Sequence, residues 1–381
     1  MLIAMNEKGE LIRAAAQEEV ERIKELKNGV YLCPACQNPV IFKAGTIKVP
    51  HFAHKQSEIC QSFSEGESAK HLKGKSDFYG WLSLYKEVQL EAFLPEISQR
   101  PDLLVDMRIA VEFQCSSIAS DLFIQRTNGY VANGYIPLWI YGGPPIKKRG
   151  ELYTFTPFHR LFFQYSSSFG YWFLAYSPGT EKFSFYSKLI PIQSSLYHAS
   201  VQEIPLHKMT YPPAFSPSFT SSFSLSSWFQ QKHRWLQRQL YFRKGISDPF
   251  FRFVYEAGHH PLLLPVWIGL PVRSMALMKS HPIEWQFYLW HDCLSRTRKT
   301  TVKQAAKALT RRILKGDLQI NVFPLISSLT VEGMIEEYIE LLKEAGIAEQ
   351  PLLSRTTFEQ TEKEKAFAAE FGELVKRRLM F

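Results

Sequence analysis

The chain has 381 residues, of which 45% are hydrophobic and 14% are aromatic, and its formal net charge is +9. The apolar content argues against global disorder, and the length favours roughly two or three domains. The excess of cations suits a polyanionic partner, because Lys and Arg that neutralise phosphates release counterions; solubilising surface charge explains it equally well. No apolar run approaches the ~20 residues of a membrane-spanning helix.

The number of cysteines and the first residues of the chain indicate the cellular compartment in which the protein is expected. Five cysteines are an odd number, which is unlike the dense, even-numbered framework of a secreted disulfide protein. The first five residues lack the basic segment of a signal peptide and are followed by a polar turn. We therefore expect a reduced, cytoplasmic protein.

The N-terminal elements are predicted from local patterns. Residues 2–14 have the pattern of a hairpin with a turn at 6–9. The apolar spacing over 16–27 is helical, and Asn-Gly follows it as a stop. A second hairpin is expected to pair 40–43 with 46–49.

A helix, three strands, a helix and a strand come next, which is the core order of the restriction-endonuclease-like fold. The expected bounds are 67–88, 88–94, 103–105, 109–113, 118–132 and 136–141. Beyond Pro144-Pro145, an aromatic-rich stretch reads as short strands up to a Ser/Phe/Pro linker at 212–227. The expected C-terminal helices are 228–244, 283–297, 301–315, 330–345 and 358–379.

The fold class that follows is a multidomain α+β protein. It comprises a small N-terminal Cys/His zinc-type module, an α/β nuclease-like core, and a mixed and then mostly helical C-terminal region. The predicted segments are 1–62, 63–145, 146–227 and 228–381.

The first chemical constellation is a group of cysteines and histidines. Cys33 and Cys36 form a C-x2-C knuckle, which brings two thiolates within reach of one tetrahedral Zn²⁺ at ~2.3 Å. His51, His54 and Cys60 follow, so five candidates compete for four positions. The spacing predicts a structural zinc site with one of two ligand sets: Cys33, Cys36, His54 and Cys60, or Cys33, Cys36, His51 and His54. Reduced cysteines without a metal are the alternative, and a redox role is disfavoured because no helix follows the knuckle.

The second constellation is acidic. Asp102 and Glu112 are predicted to lie side by side where two neighbouring strands bend. Two carboxylates there could hold Mg²⁺ or Mn²⁺ against a scissile phosphate. Gln114 completes an E-x-Q triplet, where metal-dependent phosphodiesterases of the PD-(D/E)xK type carry E-x-K, and a glutamine can orient water but supplies no charge.

Glu67, His71 and Lys75 recur at four-residue spacing, so they lie on one face of the predicted helix. If that face lines the cleft, Glu67 could add a ligand through water and His71 could position the nucleophile. Lys75 or Lys73 could then replace the missing cation. A solvated, salt-bridged face is the alternative interpretation.

Basic residues supply candidate phosphate contacts. Arg100 and Arg126 flank the acidic pair, and structural ion pairing is their alternative role. The basic helix 228–244 has interleaved aromatics on which exposed bases could stack. Its predicted nucleic-acid contacts are Lys232, Arg234, Arg238, Arg243 and Lys244. The alternative is ordinary amphipathic packing with solvated cations.

Together these motifs resemble the competence protein CoiA family. The matching landmarks are 31–36, 50–54, 67–75, 99–104, 110–116 and 137–140. The resemblance is specific over residues 1–143. It implies a zinc-type module, a nuclease domain and a helical C-terminal region. It also implies a role in natural transformation after DNA uptake, at the stage where RecA pairs incoming DNA with the chromosome.

The predicted function is a Mg²⁺- or Mn²⁺-dependent DNA endonuclease that acts on branched or single-stranded regions of recombination intermediates. The predicted catalytic set is Glu67, His71, Lys75, Asp102, Glu112 and Gln114. The alternative is a non-catalytic DNA-binding accessory protein that assists RecA. Only the first hypothesis predicts metal-dependent cleavage.

Overall fold

The computed structural model describes residues 1–15, 17–25, 29–45, 49–54, 68–193, 195–216, 223–242, 247–295, 300–347 and 353–380. The chain divides into two compact units. Unit 1 comprises Met1–Pro145, Leu174–Phe185 and Gln202–Ser216, and unit 2 comprises Ile146–Phe173, Tyr186–Val201 and Pro217–Phe381. Each unit is thus assembled from stretches that are distant in sequence.

The N-terminal part of unit 1 is an antiparallel sheet with the strand order β2-β1-β3-β4-β5. Its elements are β1 (Ile3–Met5), β2 (Leu11–Arg13), α1 (Gln17–Glu25), β3 (Tyr31–Leu32), β4 (Pro39–Lys43) and β5 (His51–His54). Val20, Tyr31 and Val40 belong to its small core. The hairpin predicted over 2–14 and the helix predicted within 16–27 are confirmed.

The sequence prediction is wrong about the partner strand of the second hairpin. Strand β4 pairs with His51–His54 rather than with 46–49, of which 46–48 lie outside the described residues. The side chain of Phe52 is fully buried, lies opposite Phe42 in the pair and also contacts Tyr31. Burial of this ring therefore favours the register that places both candidate histidines on β5.

The rest of the first 145 residues follows the predicted order of helix, three strands, helix and strand. The elements are α2 (Ala69–Leu82), β6 (Val88–Leu90), β7 (Leu103–Val105), β8 (Ile109–Gln114), α3 (Ser120–Ala132) and β9 (Ile136–Tyr141). Strands β6, β7 and β8 pair antiparallel, whereas β8 and β9 pair in parallel. Parallel neighbours need a crossover connection, which α3 provides. The strand order is β9-β8-β7-β6.

Three of these elements are shorter than predicted, and one of them is α3, which begins at Ser120 rather than at 118. Helix α2 begins after Ser68, whose hydroxyl accepts a hydrogen bond from the His71 amide at 3.1 Å, and it ends at Leu82. Strand β6 ends at Leu90 rather than at 94. Glu91 adopts a φ of +51°, in the left-handed region, so the extended conformation stops there.

Gly74 is where α2 comes closest to the sheet. A Cβ at this position would lie 2.1 Å from Cε1 of Phe113. We therefore expect Gly74→Ala to lower the free energy of unfolding by ~1–3 kcal/mol through overpacking. Gly80→Ala, on the same helix with nothing within 4 Å, is the matched control and should stabilise by ~0.5–1 kcal/mol. Urea unfolding measures both changes, and equal stabilities for the two variants would contradict this packing.

The region between residue 146 and the C-terminal helices contains strands that are longer than predicted. The elements are β10 (Lys147–Arg149), β11 (Leu152–Thr154), α4 (Pro157–Arg160), β12 (Gln164–Ser166), β13 (Gly170–Ser177), β14 (Lys182–Gln193) and β15 (Leu196–Pro205). Strands β13, β14 and β15 have 8, 12 and 10 residues, so the prediction of short strands is wrong for them. Strands β13 and β14 are rich in buried aromatic and aliphatic residues, and such runs favour extended strands.

The helical region of unit 2 contains α5 (Leu225–Phe242), α6 (Pro249–Glu256), α7 (Pro282–Leu289), α8 (Val302–Leu314), α9 (Val331–Glu344) and α10 (Thr357–Met380). Helix α6 was not predicted; Asp248 caps it by accepting from the amide of Phe250 at 2.9 Å. Helix α7 ends at Leu289 and continues as a π-helical turn over Trp290–Leu294. Trp228, Trp285 and Tyr338 lie in the core of this region.

The predicted fold class is confirmed as a mixed α+β protein. It has an N-terminal antiparallel sheet with a Cys/His cluster, a mixed central sheet and a helical C-terminal region. Among the helices in the described ranges, none combines the length and apolar character needed to cross a bilayer.

The buried side chain of His198 is expected to make the stability of unit 2 depend on acid pH. Burial lowers the pKa of His198 to about 4, although the charge of Glu151 partly opposes the shift. The unfolded chain takes up this proton near pH 6.5, so the stability contributed by neutral His198 is complete above pH 6.5. It is lost as the pH falls towards 4.

We expect His198→Gln to flatten this acid limb. The wild-type protein should lose ~3 kcal/mol through this group between pH 6.5 and 4, and the variant should lose correspondingly less. Chemical unfolding at several pH values measures the difference. An acid limb of the same slope in both proteins would contradict the assignment to His198.

Candidate functional site

The Cys/His cluster lies at the end of the N-terminal sheet. Cys33 follows β3 directly, and a turn brings Cys36 next to it, with the Gln37 amide donating to the Cys33 carbonyl at 2.8 Å. His54 is the last residue of β5, and its Nε2 is 3.3 Å from Sγ of Cys36. The ligand atoms of Cys33, Cys36 and His54 all lie within 4.8 Å of one another, so the cluster could bind a metal such as zinc.

Of the other two candidate ligands, His51 is described by the structure and is not part of this group. His51 lies three residues before His54 on the same strand, and successive side chains on a strand point to opposite faces. Its Nδ1 is 2.9 Å from the Val49 carbonyl oxygen. Cys60 lies outside the described residues. The geometry therefore favours the ligand set that contains His54 without His51.

Asp102 is the centre of the acidic site. It precedes β7, and the antiparallel register of β7 and β8 places it opposite Glu112. Its Oδ2 accepts a hydrogen bond from the Phe113 amide at 2.8 Å and lies 3.0 Å from Nε2 of His71. Its Oδ1 is 3.6 Å from Nζ of Lys75. The sequence-predicted face of α2 thus brings His71 and Lys75 to this carboxylate.

The electrostatic setting keeps Asp102 ionised. Burial alone raises the pKa of this carboxyl. The interactions with His71 and Lys75 and the hydrogen bond from the Phe113 amide lower the pKa by more, so it lies well below its usual range. A partly buried carboxylate that stays charged at neutral pH is a strong potential ligand for a divalent cation.

Glu112 has different partners. Its Oε1 accepts hydrogen bonds from Nη2 of Arg126 and from the hydroxyl of Tyr130, both on α3. Burial raises the pKa of Glu112, the charge of Arg126 opposes this, and the nearby charge of Asp102 adds to it. The net shift of the pKa is upward. The two carboxylates therefore influence each other while they pair with different helices.

Glu91 is a site residue that sequence reasoning missed. Its buried carboxylate accepts from Lys75 Nζ at one oxygen and from Arg100 Nη2 at the other, the second at 2.8 Å. Lys73, the alternative cation, instead pairs with Asp77 and with Glu181. The one sequence signal for Glu91 is a carboxylate between apolar residues inside the strand predicted over 88–94.

Gln114 and Glu67 are the remaining predicted catalytic residues. Gln114 ends β8, and its amide nitrogen donates to the carbonyl of Ser116 at 3.0 Å. By strand alternation it shares a face with Glu112. Glu67 lies outside the described residues.

The predicted nucleic-acid contacts differ in accessibility. Arg100 is paired with Glu91, and Arg126 is paired with Glu112. Lys232 is buried in an ion pair with Glu364 at 2.6 Å. On α5, Arg234 and Arg238 are exposed, whereas Arg243 and Lys244 lie outside the described residues. The ion-pairing alternative therefore applies to Arg100 and Arg126, and Lys232 is ion-paired as well, rather than solvated as its own alternative expected.

The fold and site together define a protein with a nuclease-like domain. Residues 67–219 match the family model described as the nuclease-like domain of competence protein CoiA. Residues 15–63 match the N-terminal domain of the same protein, and residues 223–370 match its C-terminal domain.

A curated relative agrees with these matches. The chain is 33% identical to the "Competence protein CoiA" of Bacillus subtilis (strain 168) over 273 residues, which cover 70% of this chain and 73% of that protein. The chain belongs to the competence protein CoiA family. No solved structure matches it significantly.

Proposed function

We propose that the protein is a Mg²⁺- or Mn²⁺-dependent DNA endonuclease. Its proposed substrates are branched or displaced-strand recombination intermediates, met in the cytoplasm during natural transformation after DNA uptake. The observation that carries the proposal is Asp102, an ionised carboxylate that lies opposite Glu112 and contacts His71 and Lys75. The family's nuclease-like domain supports it.

The donor set fits a hard divalent cation. Asp102 and Glu112 supply carboxylate oxygens from adjacent strands, which are the ligands that Mg²⁺ and Mn²⁺ prefer. A bound cation neutralises charge on the scissile phosphate and lowers the pKa of an attacking water. Glu112 would exchange its hydrogen bonds from Arg126 and Tyr130 for this role.

The other side chains have proposed roles around this pair. His71 orients the Asp102 carboxylate and lies where it could hold a water for attack. Lys75 brings the positive charge that Gln114 lacks, and Gln114 orients water. Glu67, which lies outside the described residues, is proposed to add a metal ligand through water.

Two further sites complete the proposal. The cluster of Cys33, Cys36 and His54 binds structural Zn²⁺, with Cys60 as the proposed fourth ligand. Arg234 and Arg238, exposed on α5, contact the DNA backbone together with the basic residues that follow this helix. RecA is the proposed protein partner, because incoming DNA would be processed where strands are exchanged.

A specific observation favours the second candidate, a DNA-binding accessory protein without catalysis. Glu112 is already paired with Arg126 and its pKa is raised, and Gln114 stands in place of a lysine. If these pairs persist with DNA bound, the carboxylates would stabilise the fold and would not bind a metal.

Incubation with flap, D-loop and linear DNA separates the two candidates. The nuclease hypothesis predicts Mg²⁺- or Mn²⁺-dependent products, formed faster from branched than from linear DNA and suppressed by EDTA. Salt-sensitive DNA binding without products in either metal would favour the accessory role.

The two lysines on α2 give a matched pair of variants. Lys75→Met should lower the cleavage rate by about 100-fold, because it removes the cation that lies 3.6 Å from Asp102. Lys73→Met should leave the rate nearly unchanged, since Lys73 pairs with Asp77 and Glu181. Single-turnover cleavage measures both rates. Equal losses in the two variants would remove Lys75 from the site.

A further inference from the structure

Glu91 joins parts of unit 1 that are distant in sequence. Its side chain is 2% exposed and its backbone has a φ of +51°. One carboxylate oxygen accepts from Lys75 Nζ and from the Leu2 amide, the latter at 3.0 Å. The other oxygen accepts from Arg100 Nη2 at 2.8 Å, and Arg100 Nε donates to the Glu91 carbonyl at 2.6 Å. This carboxylate therefore has three donors in a water-poor environment.

Charge balance gives Glu91 a specific effect on the acidic site. The Lys75 side chain is 1% exposed, and its ammonium contacts Glu91 Oε1 and lies 3.6 Å from Asp102 Oδ1. A buried cation is stable only beside compensating charge. Glu91 supplies that charge at closer range than Asp102 does, so it holds the ammonium in place next to Asp102.

The Leu2 contact leads from Glu91 to the Cys/His cluster. Leu2 directly precedes β1, and β1 pairs with β3 through Met5 and Leu32, the residue before Cys33. On the other side, the Phe52 amide on β5 donates to the Met1 carbonyl at 2.9 Å. Strand β5 ends at His54. The segment that contains Leu2 is therefore hydrogen-bonded to β3, which leads directly to Cys33, and to β5, which carries His54.

We propose that Glu91 is a positioning residue that holds Lys75 beside Asp102 and fixes both to the first strand of the Cys/His sheet. An intact Cys/His cluster is then required for full order at the acidic site. The effect on cleavage rests on the nuclease function proposed above, whereas the structural link between Leu2 and Glu91 does not.

The catalytic part is tested by Glu91→Gln, with Glu96→Gln as the matched control. Glu96 is an exposed glutamate that accepts from the hydroxyl of Tyr135. We expect E91Q to lower kcat about 10-fold at unchanged KM for flap DNA, and E96Q to have no effect. In the Lys75→Met background, E91Q should not lower kcat further, because Glu91 acts through Lys75. Additive losses, or a loss fully explained by a smaller folded fraction, would overturn the positioning role.

The structural link is tested without any activity. Hydrogen exchange of the Leu2 amide is followed by NMR on protein labelled with ¹⁵N-leucine. Glu91→Ala and Cys33→Ser should each speed the exchange by about 10-fold or more. E91Q keeps an acceptor oxygen, so it should not speed the exchange of the Leu2 amide, and neither should E96Q.

The outcomes of the two experiments are distinguishable. Unchanged Leu2 exchange in E91A or in Cys33→Ser would overturn the link, whatever the cleavage rates are. If the wild-type protein cleaves no DNA, the proposed function fails. Faster Leu2 exchange in E91A that remains folded would still support the link.

Discussion

Asp102→Asn is expected to lower metal-dependent DNA cleavage by about 1000-fold. The substitution keeps the shape of the side chain and an oxygen that can accept from the Phe113 amide, as Asp102 does at 2.8 Å. It removes the negative charge that keeps this group a ligand for Mg²⁺ or Mn²⁺. The fold should therefore persist while the rate falls, and single-turnover cleavage of flap DNA measures the loss.

Asp106→Asn is the matched control for Asp102→Asn. Asp106 lies on the loop between β7 and β8 and pairs with Lys86 at 2.7 Å, with both side chains partly exposed. The same chemical change there should leave cleavage and DNA binding unchanged. If D102N cleaves as fast as D106N while both remain folded, Asp102 is not part of the active site.

Loss of the Cys/His cluster is the second large effect that we expect. Cys33→Ser or Cys36→Ser should abolish zinc binding and disorder the N-terminal sheet, because Cys33 is fully buried within its small core. Structural zinc contributes roughly 10–16 kcal/mol of apparent binding free energy in small modules, so the sheet should depend on it. Metal analysis and thermal unfolding of the purified variants measure both consequences.

Three further variants identify the ligands. Cys115→Ser should retain zinc, because Cys115 lies after β8 and outside the cluster. His51→Gln should also retain zinc, since His51 is not among the clustered side chains. Cys60→Ser should lose it if Cys60 is the fourth ligand. Retained zinc in Cys33→Ser, or zinc loss in His51→Gln, would contradict the ligand assignment.

Much of the central sheet could be predicted from local patterns. The run over 103–105 and the strand over 136–141 are apolar or β-branched and bounded by turns, and both are found where expected. Asp102 directly precedes β7 and Glu112 lies on β8, and these two strands pair antiparallel. Local sequence is sufficient here because strand period and turn residues determine the elements.

Features that depend on tertiary contacts could not be predicted from the sequence. Strand β5 occurs at His51–His54 because burial of Phe52 fixes its register, and that residue's partners are distant. Charge alone did not distinguish a phosphate contact from a buried ion pair. Arg126 and Lys232 both meet glutamates, Glu112 and Glu364. Such pairings depend on which helix packs against which strand or helix.

Glu91 shows the same limit within the site. In the sequence it is an acidic residue in the middle of the strand predicted over 88–94, with no local sign of a buried ion pair. In the structure it is buried and contacts Lys75, Arg100 and the Leu2 amide. Its role arises from a left-handed backbone conformation and from the position of the N-terminal sheet, and neither has a local sequence pattern.

A crystal structure with Mn²⁺, located by its anomalous scattering, tests the proposed active site most directly. We predict one or more Mn²⁺ ions in contact with both Asp102 and Glu112, with Glu112 released from Arg126. The same crystals should lose this signal in Asp102→Asn. Glu112 still paired with Arg126 and Tyr130, with no Mn²⁺ at Asp102 under conditions that saturate DNA binding, would contradict a metal-dependent nuclease.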